Sequence, residues 1–306
     1  MFLLRFIQQL LRRHRKRFSR KNLPRNLKYF MTNTFYLETP ANFSFRATVN
    51  SHGWSVLLPF QLDEENLRLS YVFQDGVSVI ISETEKKLKI ETDGDEKILP
   101  YIQHILRFDE DLSDFYKILK NEKRLNWIAE TSAGRLLRSP NVFEDLVKTI
   151  CTTNCSWSLT KIMVKNLVEK LGNNDFPTAK QMAGVSEVFY RTEIRAGYRS
   201  GYFVELAEKV AGGKLNPESW LTSDLPTKEL KKEMKKVKGV GDYAAENLLK
   251  LVGRYDGLAL DSFLRSEFYK RHNGGNVCED KQIRDFYEKF GVWCGLAIWC
   301  DLAVSS

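Results

Sequence analysis

The sequence of 306 residues has few cysteines and lacks any long apolar run. Its cysteines are odd in number and form no C-x-x-C pair: Cys151, Cys155, Cys278, Cys294 and Cys300. This pattern argues against a disulfide framework and a zinc knuckle, so we expect a reducing compartment and predict no metal. No uncharged stretch approaches the roughly 20 apolar residues that cross a bilayer, so we expect no membrane association.

Acidic residues are missing from the first thirty positions, which hold ten of the 47 lysines and arginines. The remaining residues carry 37 basic and 39 acidic side chains, so the net charge of +8 belongs to this segment. We predict a basic arm over residues 1–33. An organellar transit peptide, a nuclear address, a tail that grips DNA and a solvated tail without a role all fit its composition.

The chain that follows the arm predicts an α+β fold. Residues 34–100 are expected to form an antiparallel β-rich domain, because alternating segments at 67–73 and 77–81 flank an Asp75-Gly76 turn and 87–91 adds a further strand. From residue 101 the apolar period changes to about 3.6, which predicts an all-helical domain over 101–306. The predicted helices span 142–152, 157–171, 179–189, 201–212, 227–237, 242–252, 262–271 and 280–290.

One turn between two predicted helices has the composition of a phosphate-binding site. Gly239, Val240 and Gly241 separate the helices and follow Lys238. Glycines permit positive φ and close approach, and the free N–H groups at the start of the second helix favour an anion. The turn can therefore hold a DNA phosphate without reading sequence, although an ordinary helical hairpin has the same pattern.

Asp261 stands about twenty residues after this turn, between the apolar run 258–260 and a new amphipathic segment. Aspartate is a favoured N-cap, so capping alone would explain an isolated example. The hairpin followed by a helix-starting aspartate resembles the helix-hairpin-helix (HhH-GPD) DNA glycosylase superfamily. The segments 139–154, 197–202 and 290–297 are similar to its 3-methyladenine DNA glycosylase II and 8-oxoguanine DNA glycosylase branches, and the resemblance extends over about residues 35–300.

The resemblance implies base excision repair, with hydrolysis of the bond between a flipped-out damaged purine and its sugar. It makes Asp261 the catalytic carboxylate that stabilises the sugar cation, kept ionised by the dipole of its helix. Asn154 and Tyr198 match positions that line the opened duplex. Tyr243 stands where bifunctional members carry an imine-forming lysine, which implies a monofunctional enzyme without lyase activity.

The resemblance also bears on substrate and cofactor. Tyr243 and Trp157 are candidates for the base pocket, and an aromatic at 243 favours alkylated purines of the 3-methyladenine type over 8-oxoguanine. Lys250, two helical turns beyond Tyr243, is expected to be a solvated surface charge. Only three cysteines follow Asp261, at spacings unlike those of the related branch that binds an iron-sulfur cluster, so no cofactor is expected.

The expected partner is double-stranded DNA with a damaged base, bound inside the cell by a monomer. The alternative from another class is a damaged-DNA-binding protein without catalysis. Such a protein would use the same hairpin and the nearby Lys235, Lys236 and Lys238 on phosphates. Asp261 separates the two hypotheses, because only a glycosylase needs its carboxylate.

Overall fold

The structure, a computed structural model, describes residues 32–85 and 87–303, so the predicted arm lies almost wholly outside the described residues. Its first part is an antiparallel sheet of five strands in the order β1-β5-β4-β3-β2. The strands are β1 (Asn33–Glu38), β2 (Gln61–Asp63), β3 (Arg68–Val72), β4 (Ser78–Thr84) and β5 (Lys87–Thr92). The β-hairpin predicted around Gly76 is confirmed as β3 and β4.

The register of the sheet follows its apolar alternation. Leu69 pairs with Ile81 and Ile81 with Ile90, so one face of the sheet carries a continuous apolar row. All three side chains are fully buried. Burying that face requires a second layer, because alternate residues of a strand point to opposite sides of a sheet.

Helices supply that layer and complete the predicted α+β fold. The short α1 (Phe45–Val49) lies between β1 and β2, and the remaining helices follow the sheet. They are α2 (Leu99–Ile105), α3 (Ser113–Leu119), α4 (Asn126–Glu130), α5 (Val142–Thr152), α6 (Trp157–Lys170), α7 (Ala179–Ala183), α8 (Glu187–Phe189), α9 (Ser200–Ala211), α10 (Thr227–Lys235), α11 (Asp242–Leu251), α12 (Ser262–His272), α13 (Asp280–Tyr287) and α14 (Cys294–Leu302). Among the described residues, none of these helices has the length and apolarity to cross a bilayer.

The predicted helix 179–189 is wrong, because the segment is two short helices. The first ends at Ala183, with Gly184 as its C-cap, and the second begins after Ser186, whose hydroxyl accepts a hydrogen bond from the backbone N–H of Phe189. When a serine side chain caps the next helix, its hydrogen bond replaces one that a continuous helix would make, so the first helix stops before that serine. The other predicted helices form within a few residues of their expected ends.

The described part of the chain packs around two hydrophobic cores. The sheet and the helices from α5 to α11 share the first core, which includes Phe45, Ile81, Leu146 and Leu248. Helices α3, α4 and α12 to α14 surround the second. Because the first core crosses from the sheet into the helices, loops of the β-rich part are held directly against the helical part. The domain limits set from the sequence stay a prediction.

Candidate functional site

The predicted turn between α10 and α11 is present, and its two glycines serve different purposes. Gly239 has φ +93°, and a Cβ there would stand 2.7 Å from the ring of Tyr202. Gly241 has φ −87°, and a Cβ there would meet nothing within 4 Å. Gly239 is therefore required by the fold, whereas Gly241 leaves open space in front of α11. The side chain of Val240 is buried in the core, so only its backbone can face a ligand.

Helix α11 begins at this turn with no side-chain cap. Its first amides are therefore available to an anion, as the sequence predicts. The lysines around the turn are already paired: Lys235 with Asp242 at 3.0 Å and Lys238 with Glu205 at 3.7 Å. Local backbone N–H groups, more than net positive charge, make this turn suitable for one phosphate.

Asn154 and Tyr198 lie close together although they are far apart in the sequence. The hydroxyl of Tyr198 donates to the carbonyl of Thr153 at 3.4 Å, and the buried Arg199 guanidinium lies over the Tyr198 ring and also binds Thr153. Tyr198 is 50% exposed, and Asn154 is exposed with φ +44°. The contacts of Tyr198 with Thr153 and with the buried Arg199 therefore place the exposed Tyr198 and Asn154 on one surface.

That surface is continuous with the hairpin. The rings of Tyr198 and Tyr202 are 5.8 Å apart in an edge-to-face arrangement, and Tyr202 packs under Gly239. The structure therefore brings the predicted DNA-binding positions of three separate segments onto one side of the molecule. Their role in binding DNA stays a prediction.

Asp261 occupies the N-cap of α12, where the sequence predicts it. Its Oδ1 accepts hydrogen bonds from the backbone N–H groups of Phe263 at 3.0 Å and Leu264 at 2.8 Å. The segment before it is fixed by Glu246 of α11, whose carboxylate accepts the N–H of Ala259 at 2.5 Å. Within the described chain Oδ2 makes no hydrogen bond, so the half-buried carboxylate has one oxygen held and one available.

Burial raises the pKa of Asp261 above its ordinary value, while the N–H groups of Leu264 and Phe263 oppose the rise. Desolvation is the larger effect on this pKa, and the N–H groups at the start of α12 counteract it, so the expectation that the helix dipole keeps Asp261 ionised stays a prediction. Asp261 also contributes to the raised pKa of Tyr243, whose main cause is burial. The carboxylate therefore acts electrostatically on a residue of the neighbouring cavity.

That cavity is narrow, with a volume of about 40 Å³. Aromatic and apolar groups form most of its wall: His52, Gly53, Trp54, Leu136, Trp157, Tyr243, Leu251 and Trp299. This lining is typical of a site for a small flat molecule. Both residues predicted for the base pocket, Trp157 and Tyr243, are in its wall.

The loop between α1 and β2, which contains a 3₁₀ helix at Gly53–Val56, closes one side of the cavity. Trp54 Nε1 donates to Asp145 Oδ1 at 2.6 Å, and His52 Nε2 binds the Leu137 carbonyl at 2.5 Å. Burial lowers the pKa of His52 to about 4, so its imidazole is neutral at pH 7 and donates through Nε2. These bonds fix the loop to the helical part and define the cavity.

Four polar side chains complete the wall: Thr149, Thr152, Asn247 and Lys250. The expectation that Lys250 is a surface charge is wrong, because its side chain is only 2% exposed. Residues 243, 247 and 250 follow one another at helical spacing, so they share the face of α11 that meets the cavity. The same spacing relates Thr149 and Thr152 on α5, and it is the signal that could have revealed these residues.

Similarity to known proteins agrees with this geometry. No family model matches the chain. A curated relative, DNA-3-methyladenine glycosylase of Bacillus subtilis (strain 168), is 24% identical over 164 residues. The match covers 50% of this chain and 54% of that protein, so the chain spans about half the length of this relative.

Solved structures share the fold over most of the chain. The 8-oxoguanine glycosylase/lyase of Clostridium acetobutylicum, in complex with double-stranded DNA, has a TM-score of 0.70 and 22% identity, covering 86% of this chain and 91% of its own. The 3-methyladenine DNA glycosylase of Archaeoglobus fulgidus has a TM-score of 0.69 and 17% identity, with 88% and 97% coverage. The chain thus resembles the helix-hairpin-helix DNA glycosylases in sequence and has their fold.

Proposed function

We propose that this protein is a DNA glycosylase of base excision repair that hydrolyses the N-glycosidic bond of a flipped-out damaged base. The observation that carries the proposal is the position of Asp261. Its carboxylate keeps one oxygen free and acts electrostatically on Tyr243, a residue in the wall of a cavity suited to a flat molecule. The names of the similar proteins, which include glycosylases that act on 3-methyladenine and 8-oxoguanine, support the same activity.

Binding would use the surface formed by the hairpin and the Tyr198 side. The uncapped start of α11 accepts a phosphate of double-stranded DNA through its N–H groups. Asn154 and Tyr198 are exposed on the same side and fill the space that the extruded nucleotide leaves. We expect a monomer to act in this way, inside the cell.

Catalysis follows from the charge of Asp261. As the bond between the base and C1′ breaks, its electrons leave with the base and positive charge develops on the sugar. The Asp261 carboxylate stabilises that charge and orients a water molecule, whose oxygen bonds to C1′ while a proton is lost to the carboxylate or solvent. Fixed by two backbone N–H groups, the carboxylate needs little reorganisation during this step.

The reaction is proposed to stop at base release. Tyr243 occupies the position at which the resemblance expects an imine-forming lysine, and a phenol forms no Schiff base with the sugar. The aromatic wall of the cavity suits either of two substrates, an alkylated purine or 8-oxoguanine. Both classes therefore belong in the first assay.

The test uses duplexes with a single 8-oxoguanine, alkylated adenine or hypoxanthine, incubated with the full-length protein. Release of a base with strand cleavage only after alkali is the expected result. Cleavage without alkali, together with a covalent adduct trapped by borohydride, would contradict the monofunctional assignment. Binding without release from any duplex would instead favour the damaged-DNA-binding alternative.

A further inference from the structure

Lys250 is a buried cation without a partner. Its Nζ makes no hydrogen bond within the part of the chain that the structure describes, and its side chain is 2% exposed. Burying an unpaired charge carries a large free-energy penalty, so such a group calls for a partner outside the protein. Because Lys250 lines the cavity, that partner is a molecule that enters there.

Two further polar atoms of the same wall have no hydrogen-bond partner among the described residues, Trp157 Nε1 and Thr149 Oγ1. The indole N–H and the ammonium only donate hydrogen bonds, and the hydroxyl can donate or accept. Asn247 donates Nδ2 to the Tyr243 carbonyl at 2.8 Å, which leaves its Oδ1 as an acceptor. These donors can bind a carbonyl oxygen of a base, and the single acceptor can bind an N–H group beside it. The wall is therefore complementary to the edge of a base with a carbonyl oxygen next to an N–H group.

We propose that Lys250 makes this cavity select uncharged bases with a ring carbonyl, such as hypoxanthine and 8-oxoguanine, over bases made cationic by alkylation. The inference rests on the proposed glycosylase activity and names its substrate class. A purine alkylated at N3 or N7 carries a positive charge while it is attached to the sugar. An ammonium in the same water-poor cavity repels that charge, whereas it donates to a neutral carbonyl.

The ammonium is the main form of Lys250 at pH 7. Burial lowers its pKa to about 8, and Glu246, Cys294 and Asp261 oppose the drop. The aromatic rings of Trp157 and Tyr243 attract cations, which is why Tyr243 alone favours an alkylated purine. Repulsion between two unit charges at low dielectric outweighs such a ring contact, so Lys250 reverses that preference.

Binding of small probes tests this selectivity independently of catalysis. The probes are neutral 9-methylhypoxanthine and cationic 3,9-dimethyladeninium, and quenching of indole fluorescence reports binding because Trp54, Trp157 and Trp299 line the cavity. The wild-type protein should bind the neutral probe at least about tenfold more tightly. Lys250→Met keeps a long, unbranched side chain and removes the charge. It should reduce the ratio of the two affinities, neutral probe over cationic probe, by about tenfold or more.

The control is Lys228→Met, because Lys228 is an exposed lysine of α10, and it should bind as the wild type does. Replacing a buried unpaired ammonium by methionine should leave the melting temperature equal or higher, so Lys250→Met is expected to fold. Equal affinity of the wild type for both probes would overturn the inference. An unchanged ratio in a folded Lys250→Met protein would overturn it as well.

Base release then separates this inference from the proposed function. In single-turnover assays the wild type should release hypoxanthine faster than 7-methylguanine. Lys250→Met should reduce the ratio of these two rates by about tenfold. Faster release of 7-methylguanine by the wild type would contradict the inference and leave the glycosylase proposal intact. Selective probe binding without release of any base would support the inference and contradict the proposed function.

Discussion

Trp157 packs so closely on Gly53 that no side chain fits between them. A Cβ built on Gly53 would stand 2.6 Å from two atoms of the Trp157 ring. Gly53 begins the 3₁₀ helix Gly53–Val56 in the loop between α1 and β2, and Trp157 begins α6. The contact therefore joins the sheet-bearing part to the helical part at the cavity. The geometry of the cavity therefore depends on a glycine outside the helical part.

Gly53→Ala should displace the Trp157 ring and deform the cavity. Overpacking of this kind costs about 1–3 kcal/mol of stability, and we expect base release to fall by about tenfold or more. Urea denaturation and single-turnover base release measure the two effects. Gly201→Ala is the matched control, because a Cβ there meets only ordinary contacts with Glu187 at 3.5 Å. Wild-type rates in Gly53→Ala would show that the contact does not shape the site.

Substitutions of the two hairpin glycines should have different effects: one should lower stability and the other should weaken DNA binding. Gly239→Ala forces a side chain into positive φ and against Tyr202, so the free energy of unfolding should fall by about 1–2 kcal/mol. Gly241→Ala meets no atom within 4 Å and should keep its stability. Its methyl group lies where a phosphate would approach α11, so its affinity for duplex DNA should drop.

Thermal melting and fluorescence anisotropy with a short duplex test this pair of variants. A loss of stability in Gly241→Ala would show that its position is structural. Unchanged duplex affinity in a stable Gly241→Ala protein would argue against phosphate binding at the turn.

The raised pKa of Asp261 predicts that the rate of base release falls at acidic pH. Burial raises this pKa, so the carboxylate becomes protonated at a higher pH than an ordinary aspartate of pKa 3.8. Because the ionised form is the active one, the rate should fall as the pH drops through the raised pKa, with Arg265 opposing the shift. Single-turnover rates against pH measure this fall. A rate that stays constant down to about pH 4 would contradict this assignment.

The Tyr71 hydroxyl of β3 ties the sheet to a buried ion pair within α5, Glu144 with Lys148. Glu144 accepts hydrogen bonds from the Tyr71 hydroxyl at 2.6 Å and from Lys148 Nζ at 2.5 Å. Glu144→Ala leaves the Lys148 charge buried and unpaired, so it should lower the free energy of unfolding by about 3–5 kcal/mol. The double variant Glu144→Leu with Lys148→Met removes both charges and should recover much of that loss. Urea denaturation measures both, and equal losses would show that the pair is not coupled.

Local patterns predicted the regular elements because each depends on nearby residues. Helix α5 has an apolar period of 3.6 behind Asn141, whose side chain caps it by accepting the N–H of Glu144. The strands β3 and β4 flank a turn with Gly76 at φ +79°. Asp261 was placed correctly for the same reason, since its capping bonds reach only Phe263 and Leu264. The short helices α2 to α4 contain too few turns to reveal their period.

The cavity depends instead on contacts between residues distant in the sequence. Trp54 reaches Asp145 across 91 residues, and Trp299 Nε1 donates to the carbonyl of Ser51 across 248. No local pattern shows that the loop around Trp54 lies against α5 and α14. Lys250 was assigned to the surface because lysine is seldom buried, although its spacing from Tyr243 places it on the cavity side of α11.

Asp261→Asn is the most direct test of the central claim, that the Asp261 carboxylate stabilises the sugar cation. Asparagine keeps the oxygen that accepts the N–H groups of Phe263 and Leu264, so the fold and duplex binding should remain. We predict that release of the preferred base falls by about 10²–10⁴-fold in single-turnover assays. Release at the wild-type rate, in a protein with unchanged melting temperature and duplex affinity, would contradict the role of Asp261.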